Sequence, residues 1–159
     1  MKQVPIHIDI ISVSYEELSS IEKKLIETAK NATKNSYAPY SGFSVGAAAL
    51  LGNNEIIAGT NQENAAYPSG ICAERTTLYY ANSKYPTERV QALAIAAYTD
   101  GDFLDTPIPP CGACRQVLLE TEKRFGQPMQ ILLYGKNEIY KMEGVKNLLP
   151  LSFSTEYLK

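Results

Sequence analysis

The sequence contains no tryptophan, a single histidine and only three cysteines. An odd number of cysteines, two of them three residues apart, argues against a disulfide framework. A metal or redox role is therefore the first question that they raise. Basic residues are not in excess either, because 15 Lys and Arg face 17 Asp and Glu for a net charge of −2. This balance argues against the basic stripe that a nucleic-acid-binding surface requires.

Long apolar runs are also absent, and none approaches the roughly 18 residues of a membrane-spanning helix. The isoleucine-rich N-terminus is interrupted by Pro5, His7 and Asp9, so it lacks the apolar core of a signal peptide. We therefore predict a cytoplasmic protein with neither membrane nor nucleic acid as a partner. The 159 residues contain no internal repeat, low-complexity tract or linker, and a chain of this length can build its own core. We expect one domain over residues 1–159.

The periodicity of apolar residues predicts three helices and about five strands. Ser14 and Glu17 match a capping box at the start of the first helix. The predicted helices cover residues 14–35, 72–83 and 111–125. The predicted strands cover residues 43–51, 55–60, 90–98, 129–134 and 138–141, and residues 4–10 alternate like a further short strand. A loop is expected over 98–110, a helical turn over 144–149 and an extended tail after it. This order predicts an α/β fold, a mixed sheet covered by helices on both faces.

Two short motifs combine all three cysteines with one carboxylate. They are Cys72-Ala73-Glu74 and Pro110-Cys111-Gly112-Ala113-Cys114. Three protein ligands leave the fourth position of a tetrahedral Zn²⁺ open, as in catalytic sites. The same pattern, C-x-E followed by P-C-x-x-C, is the signature of zinc-dependent deaminases. The two cysteines of the second motif are one helical turn apart and face the same way, whereas Cys72 and Glu74 can cooperate only where a helix begins.

Three thiolates around Zn²⁺ leave a formal negative charge that opposes ionisation of a bound water. Both motifs lie at predicted helix N-termini, whose partial positive charge stabilises thiolates. Arg75 follows Glu74 and is placed to donate hydrogen bonds to the sulfur atoms. Taken alone, the C-x-x-C pair fits a thioredoxin-like redox site equally well, and Cys72 or Glu74 alone fits a structural role. Their combination favours zinc, and we expect His7 to be unrelated to the site.

From Tyr37 to Leu158 the chain resembles cytidine deaminase of the small, homotetrameric type. Five stretches carry the resemblance: Tyr40 to Ala48, Asn61 to Pro68, Gly70 to Thr76, Pro110 to Val117, and Leu148 to Pro150 before Phe153. The resemblance implies a three-layer α-β-α fold and one zinc ion per subunit. It also implies a pyrimidine-salvage reaction, the hydrolytic conversion of cytidine and deoxycytidine to uridine and deoxyuridine with release of ammonia.

The resemblance also assigns roles to individual residues. Cys72, Cys111 and Cys114 would bind zinc, and Glu74 would transfer protons. The other assigned residues would contact the nucleoside: Phe43 beside the base, the backbone around Ala73 at the pyrimidine amide edge, Asn61 and Glu63 at the ribose 3′-hydroxyl, Ala65 and Tyr67 at the 5′ end, and Phe153 stacked on a base bound by an adjacent subunit. Without the resemblance, these residues would be interpreted as packing, turn and surface positions.

The chain departs from the resemblance in an N-terminal extension, residues 1–13, and in a longer loop at 105–109. A deaminase for another aminopyrimidine, such as a blasticidin-S-type nucleoside, is a rival that shares the zinc pattern. The pair Asn61 and Glu63, together with the segment around Phe153, favours cytidine. An enzyme that edits nucleic acid is disfavoured by the acidic net charge. A zinc-stabilised binding module without catalysis would leave Glu74 without a purpose. The preference between cytidine and deoxycytidine stays open.

Overall fold

A computed structural model describes residues 1–158 of the chain. Within these residues, seven strands form one sheet: β1 Ile11–Val13, β2 Ser44–Leu51, β3 Ile56–Thr60, β4 Val90–Thr99, β5 Asp102–Phe103, β6 Gln130–Tyr134 and β7 Ile139–Glu143. The helices are α1 Ser20–Ala32, α2 Ala73–Lys84 and α3 Gly112–Phe125. In this part of the chain no helix has both the length and the apolar character needed to cross a bilayer.

The sheet has the order β1-β7-β6-β4-β2-β3, and β5 pairs with the end of β4. Only β4 and β6 run parallel among these described strands, and the other neighbouring pairs are antiparallel. Helix α1 packs on one face, with Leu25 and Ile26 in that core. Helices α2 and α3 pack on the opposite face, with Leu78 and Leu118 in the other core. The predicted three-layer α-β-α fold with a mixed sheet is confirmed, with two strands more than the five expected.

Helix α1 begins later than predicted. The amide of Ser14 does donate to the Glu17 carboxylate at 2.7 Å, but this box caps only a single 3₁₀ turn. A second box starts the α-helix, because the Glu22 amide donates to the Ser19 hydroxyl at 3.4 Å and the Glu22 carboxylate accepts from the Ser19 amide at 2.8 Å. The prediction of one continuous helix over residues 14–35 is therefore wrong at its start, and its last turn, 33–35, is also 3₁₀.

The predicted strand over residues 4–10 is also wrong. These residues have no regular secondary structure, and the first strand is β1. The reason lies in the partner strand: β7 ends at Glu143, and Gly144, with φ of 84°, turns the chain away. In the register that pairs Ile11 with Lys141, the residues before Asp9 lie beyond the end of β7 and have no strand to pair with. The Asp9 amide instead donates to the side chain of Asn147 at 2.9 Å.

Two glycines allow the helices to lie close to the sheet. A Cβ on Gly46 would overlap the carbonyl oxygen of Ala29 in α1, and a Cβ on Gly59 would lie 2.8 Å from the Thr77 amide in α2. The Thr77 hydroxyl also donates to the carbonyl of Ala47 at 3.3 Å. Helix α2 is thereby fixed against β2 and β3. This contact sets the position of its N-terminal end, where Cys72 lies.

The predicted loop over residues 98–110 contains a short hairpin. Asp100 and Gly101 have φ of 52° and 87°, the left-handed pair that a two-residue hairpin turn requires. Beyond β5, the chain lies on the β6–β7 turn, where the Lys136 amide donates to Leu104 at 2.9 Å and the Asn137 amide to Asp105 at 3.0 Å. The longer loop at 105–109 is therefore held to the protein as it approaches Cys111.

Candidate active site

The three cysteines meet where α2 and α3 begin. Cys72 is the N-cap residue of α2, and Cys111 is the N-cap residue of α3. The Sγ atoms of Cys72 and Cys111 are 3.8 Å apart, those of Cys111 and Cys114 are 3.5 Å apart, and all three lie within 4.8 Å of one another. A tetrahedral zinc ion with Zn–S bonds of about 2.3 Å holds its sulfurs about 3.8 Å apart. The three sulfur donors therefore fit a zinc ion.

The electrostatic surroundings favour a thiolate at Cys72. Contact with the Cys114 thiol lowers the pKa of Cys72 to about 5, with help from the Arg75 guanidinium and against the effect of burial. The Arg75 Nη2 atom lies 3.8 Å from the Cys72 sulfur, and its buried Nε has no hydrogen-bond partner among the described residues. Proximity to Cys72 and burial raise the pKa of Cys114. The Arg75 guanidinium thus lies within donor distance of the Cys72 sulfur.

Glu74 lies in the first turn of α2 and is only 5% exposed. Burial raises the pKa of this carboxyl group, and the negative charge of Cys72 acts in the same direction. The Cys114 thiol also interacts with the carboxyl group, which partly offsets the increase. Glu74 therefore faces the sulfur cluster and holds a proton at a higher pH than an exposed glutamate. A raised carboxyl pKa is the property that a group exchanging protons near neutral pH needs.

A pocket of about 500 Å³ opens beside Cys72 and Arg75, a size suited to a small molecule. Its wall includes three of the predicted substrate residues, Asn61, Glu63 and Tyr67. Another concavity, of about 670 Å³, lies between α3, β7 and the N-terminal segment, and none of the predicted site residues lines it. The smaller pocket is the candidate substrate site because, of the two, it is the one that adjoins the sulfur cluster.

Asn61 and Glu63 are held by backbone hydrogen bonds. The Asn61 amide group donates to the carbonyl of Phe43 and accepts from the amide of Val45, both at 2.8 Å, which leaves one N–H for a ligand. The Glu63 carboxylate accepts from the amides of Tyr40 and Ser41 at 2.9 and 3.3 Å. Hydrogen bonds from these two residues lower the pKa of Glu63. Glu63 is therefore an ionised acceptor at the pocket wall.

Four of the predicted substrate residues lie outside the lining of this pocket: Phe43, Ala65, Ala73 and Phe153. Phe43 is half-buried where β2 begins, Ala65 is exposed, and Ala73 is buried directly after Cys72. Phe153 is 59% exposed and its ring stacks on Tyr157 with centroids 6.0 Å apart. A single chain does not bring Phe153 to its own pocket.

Arg115 and Gln116 have no role predicted from the sequence, although both stand beside Cys114 in one of the family-like stretches. The Arg115 side chain donates to the carbonyls of Pro110 and Leu148 at 2.8 and 2.7 Å. The Gln116 side chain donates to the carbonyl of Phe153 at 3.0 Å. The adjacency to Cys114 was a visible signal, but the backbone partners of these side chains are visible only in the fold.

Comparison with known proteins agrees with this geometry. Residues 19–125 match the family model described as the cytidine and deoxycytidylate deaminase zinc-binding region. The chain is 40% identical to a cytidine deaminase of Sporosarcina psychrophila over 136 residues, 86% of this chain and 93% of the relative. It is 47% identical to a cytidine deaminase of Halalkalibacterium halodurans over 60% of this chain and 68% of the relative.

A solved structure is similar over nearly the same range. The crystal structure of cytidine deaminase from Burkholderia pseudomallei matches with a TM-score of 0.70 and 36% identity. The match covers 86% of this chain and 100% of the Burkholderia chain. The fold and the sulfur cluster define a zinc-dependent deaminase. The chain belongs to the cytidine and deoxycytidylate deaminase family.

Proposed function

We propose that this protein hydrolyses cytidine and deoxycytidine to uridine and deoxyuridine with release of ammonia. The observation that carries the proposal is the buried carboxyl group of Glu74, whose pKa is raised beside a cluster of three thiols. That cluster adjoins a pocket with the hydroxyl-binding groups of Asn61 and Glu63. The cytidine deaminases to which the chain is similar support the same reaction.

Cys72, Cys111 and Cys114 would hold the zinc ion. When bound, zinc supplies a Lewis acid that lowers the pKa of a water molecule toward about 7. Arg75 and the N-terminal ends of α2 and α3 offset the negative charge of the three thiolates. The protein thus keeps the centre positive enough for this chemistry although all its protein ligands are anionic.

Glu74 would move the protons of the reaction. Its carboxylate accepts a proton from the attacking water and delivers it to N3 of the base, which makes C4 electrophilic. The new C4–O bond forms, and the carboxylate then takes the remaining proton from that oxygen. It passes this proton to the amino nitrogen as the C4–N bond breaks and the C4 carbonyl forms. One water molecule is consumed and one ammonia molecule leaves. A carboxyl group with a raised pKa suits both directions of this transfer.

Substrate binding would follow the assignments made from the sequence. Asn61 and Glu63 bind the ribose 3′-hydroxyl, Ala65 and Tyr67 meet the 5′ end, and Phe43 and the Ala73 backbone contact the base. The ionised Glu63 accepts a hydrogen bond from a hydroxyl group and repels a phosphate. This charge supports a nucleoside rather than a nucleotide as the substrate.

The proposed assembly is a homotetramer in which Phe153 completes a neighbouring site. Its exposed ring, held away from its own pocket, supports this arrangement. Inactive Glu74→Gln chains mixed with impaired Phe153→Ala chains should form hybrids in which some sites regain both groups. Activity above the sum of the parents is expected once subunits have exchanged. Strictly additive activity after confirmed exchange would refute the shared site. The cytoplasmic location and the single domain remain predictions from the sequence.

The reaction is tested by measuring ammonia and the deaminated product with cytidine, deoxycytidine and blasticidin S as separate substrates. We expect one ammonia per uridine or deoxyuridine formed. Turnover of blasticidin S alone would favour the rival aminopyrimidine deaminase. Bound zinc without turnover of any of the three would favour the binding module.

A further inference from the structure

The C-terminal tail, taken as residues 148–158, is attached to α3 at three points. The Leu148 carbonyl accepts from Arg115 at 2.7 Å, and the Phe153 carbonyl accepts from Gln116 at 3.0 Å. Two helical turns further along α3, Lys123 pairs with Glu156 at 2.5 Å. The tail therefore follows the surface of α3 over the segment that carries Phe153.

Two of these attachments come from the turn that carries the sulfur cluster. Arg115 and Gln116 directly follow Cys114 in the first turns of α3. Arg115 also donates from Nε to the carbonyl of Pro110 at 2.8 Å, so one side chain joins the residue before Cys111 to the tail. The backbone that orients two thiolates thus orients the two side chains that hold the tail.

This turn lacks the local stabilisation that an N-cap side chain usually provides. Cys111 makes no side-chain capping hydrogen bond, and uncapped amide groups weaken the first turn of a helix. A metal ion bound by cysteines from both α2 and α3 would fix this turn. The tail itself has one 3₁₀ turn, Thr155–Tyr157, and the exposed Phe153 ring. A segment with so little burial depends on its few hydrogen bonds for order.

We propose that Gln116, assisted by Arg115, is a positioning residue that couples the three-cysteine centre to the tail carrying Phe153. Metal binding fixes the first turn of α3, and the fixed turn orders the tail. The importance of this order for catalysis rests on the proposed function, in which Phe153 acts in a neighbouring site. The coupling itself is independent of substrate and can be measured without it.

Hydrogen exchange of the full-length protein, followed by mass spectrometry, tests the coupling. The reporters are the amides of Tyr157 and Leu158, which donate to Ser154 and Thr155 at 3.1 and 3.0 Å. Removal of zinc with a chelator should speed their exchange by about two- to tenfold, the range expected from one hydrogen bond. Exchange in the central strand β4 should be unchanged by the chelator.

Gln116→Ala should retain zinc while its tail exchanges fast with and without the metal. Gln116→Glu keeps the size of the side chain but replaces its N–H donor, and its tail should also exchange fast with and without the metal. If the alanine variant binds zinc poorly, the result for Gln116→Glu decides whether Gln116 couples the metal to the tail. Lys123→Ala is the matched control, because it removes an exposed tail contact that contributes little. In this control the tail amides should still exchange more slowly in the zinc-loaded protein than in the zinc-free protein.

The coupling is overturned if wild-type tail exchange is the same with and without zinc, or if the deciding Gln116 variant retains the zinc-dependent difference. Deamination assays on the same samples separate this inference from the proposed function. A loosened tail with unchanged kcat and KM would refute the role of Phe153 in catalysis and leave the coupling standing. A loosened tail with a raised KM supports both.

Discussion

The helices of this protein begin in two different ways. On one face of the sheet, α1 starts at a reciprocal pair of hydrogen bonds between Ser19 and Glu22. On the other face, α2 and α3 start at Cys72 and Cys111, and neither cysteine makes a side-chain capping hydrogen bond. A Ser cap stabilises a helix by about 1 kcal/mol relative to a residue that cannot cap. The N-terminus of α1 is therefore stabilised by its own side chains, whereas α2 and α3 present thiols at their ends.

The two faces of the sheet therefore use helix N-termini for different purposes. The amide groups and partial positive charge at the start of α1 stabilise the fold through Glu22. The same groups at α2 and α3 stabilise thiolates and hence a bound cation. Metal loss should accordingly loosen α2 and α3 and leave α1 intact, and changes to the α1 cap should leave the site intact.

Cys111→Ala is expected to have the largest effect on this contrast. Zinc content should fall from about one ion per chain to nearly none, and deamination should be lost with it. A metal present at a thousandfold excess over its Kd stabilises a protein by about 4 kcal/mol, and the variant should lose a stabilisation of that order. Atomic absorption and thermal unfolding check both expectations. Exchange should rise at the start of α3 and not in α1, and wild-type turnover by a zinc-free variant would contradict the assignment.

Glu74→Gln should separate chemistry from metal binding. Zinc content should be unchanged, because the proposed ligands are the three cysteines, while kcat should fall by about 10²- to 10⁴-fold, the usual contribution of general acid–base catalysis. Both quantities are measured on one preparation. Glu120→Gln, an exposed change in α3, is the control and should keep full turnover. Normal turnover by the Glu74 variant would remove this residue from the mechanism.

Glu22→Gln should affect stability and leave the site alone. Burial acts to raise the pKa of Glu22, but the Lys141 ammonium at 2.5 Å and the Ser19 hydrogen bonds outweigh it, so the pKa is lowered. Hydrogen bonds to a charged group contribute about 1.5 to 3 kcal/mol, and we expect a loss of about that size at pH 7. Denaturant unfolding measures it, and zinc content and turnover should stay at wild-type values.

The lowered pKa of Glu22 also fixes the direction of its pH dependence. A carboxyl group with a lowered folded-state pKa contributes stability above its unfolded pKa of about 4.3 and loses it as the pH falls through the folded value. The difference in stability between wild type and Glu22→Gln should therefore be full at pH 6 to 7 and shrink below about pH 4. A difference that stays constant down to pH 2 would show that the charge of Glu22 is irrelevant.

The smallest effect is expected from changes to the two capping boxes, the one that precedes α1 and the one at its first turn. Ser19→Ala should lower the free energy of unfolding by about 1 kcal/mol, because it removes the cap of a packed helix. Ser14→Ala should leave the unfolding midpoint unchanged, because its box closes a single exposed 3₁₀ turn. Urea unfolding of both variants checks the difference. Equal losses would mean that the 3₁₀ turn is part of the cooperative fold.

Much of the fold could be predicted from periodicity, and the errors have identifiable causes. The helices at 72–83 and 111–125 are confirmed within a residue or two, because Cys72 and Cys111 are followed by uninterrupted helical patterns. The start of α1 was wrong because two S-x-x-E boxes follow one another, and only packing against the sheet selects Ser19. Residues 4–10 do alternate as a strand would, but a strand needs a partner. Strand β7 ends at Glu143, so most of this segment has no strand opposite it.

Strand β5 was overlooked although its signal was present in the sequence. Asp100-Gly101 is a strong hairpin turn sequence, yet the apolar strand before it and the prolines after it favoured a loop. The two residues of β5 are too short to show an alternating pattern, so the hairpin is visible only through its turn.

The chemistry available to this protein follows from its amino-acid sequence. Three thiols and a carboxyl group two residues after the first of them are a property of the chain, and ligand preference depends on the atoms present. Tertiary structure decided how those groups behave. Cys72 and Cys111 stand 39 residues apart and are brought to 3.8 Å only because α2 and α3 pack side by side on one face of the sheet. The raised pKa of Glu74 and the attachment of the tail to Gln116 likewise depend on burial and on distant backbone partners, which no local pattern specifies.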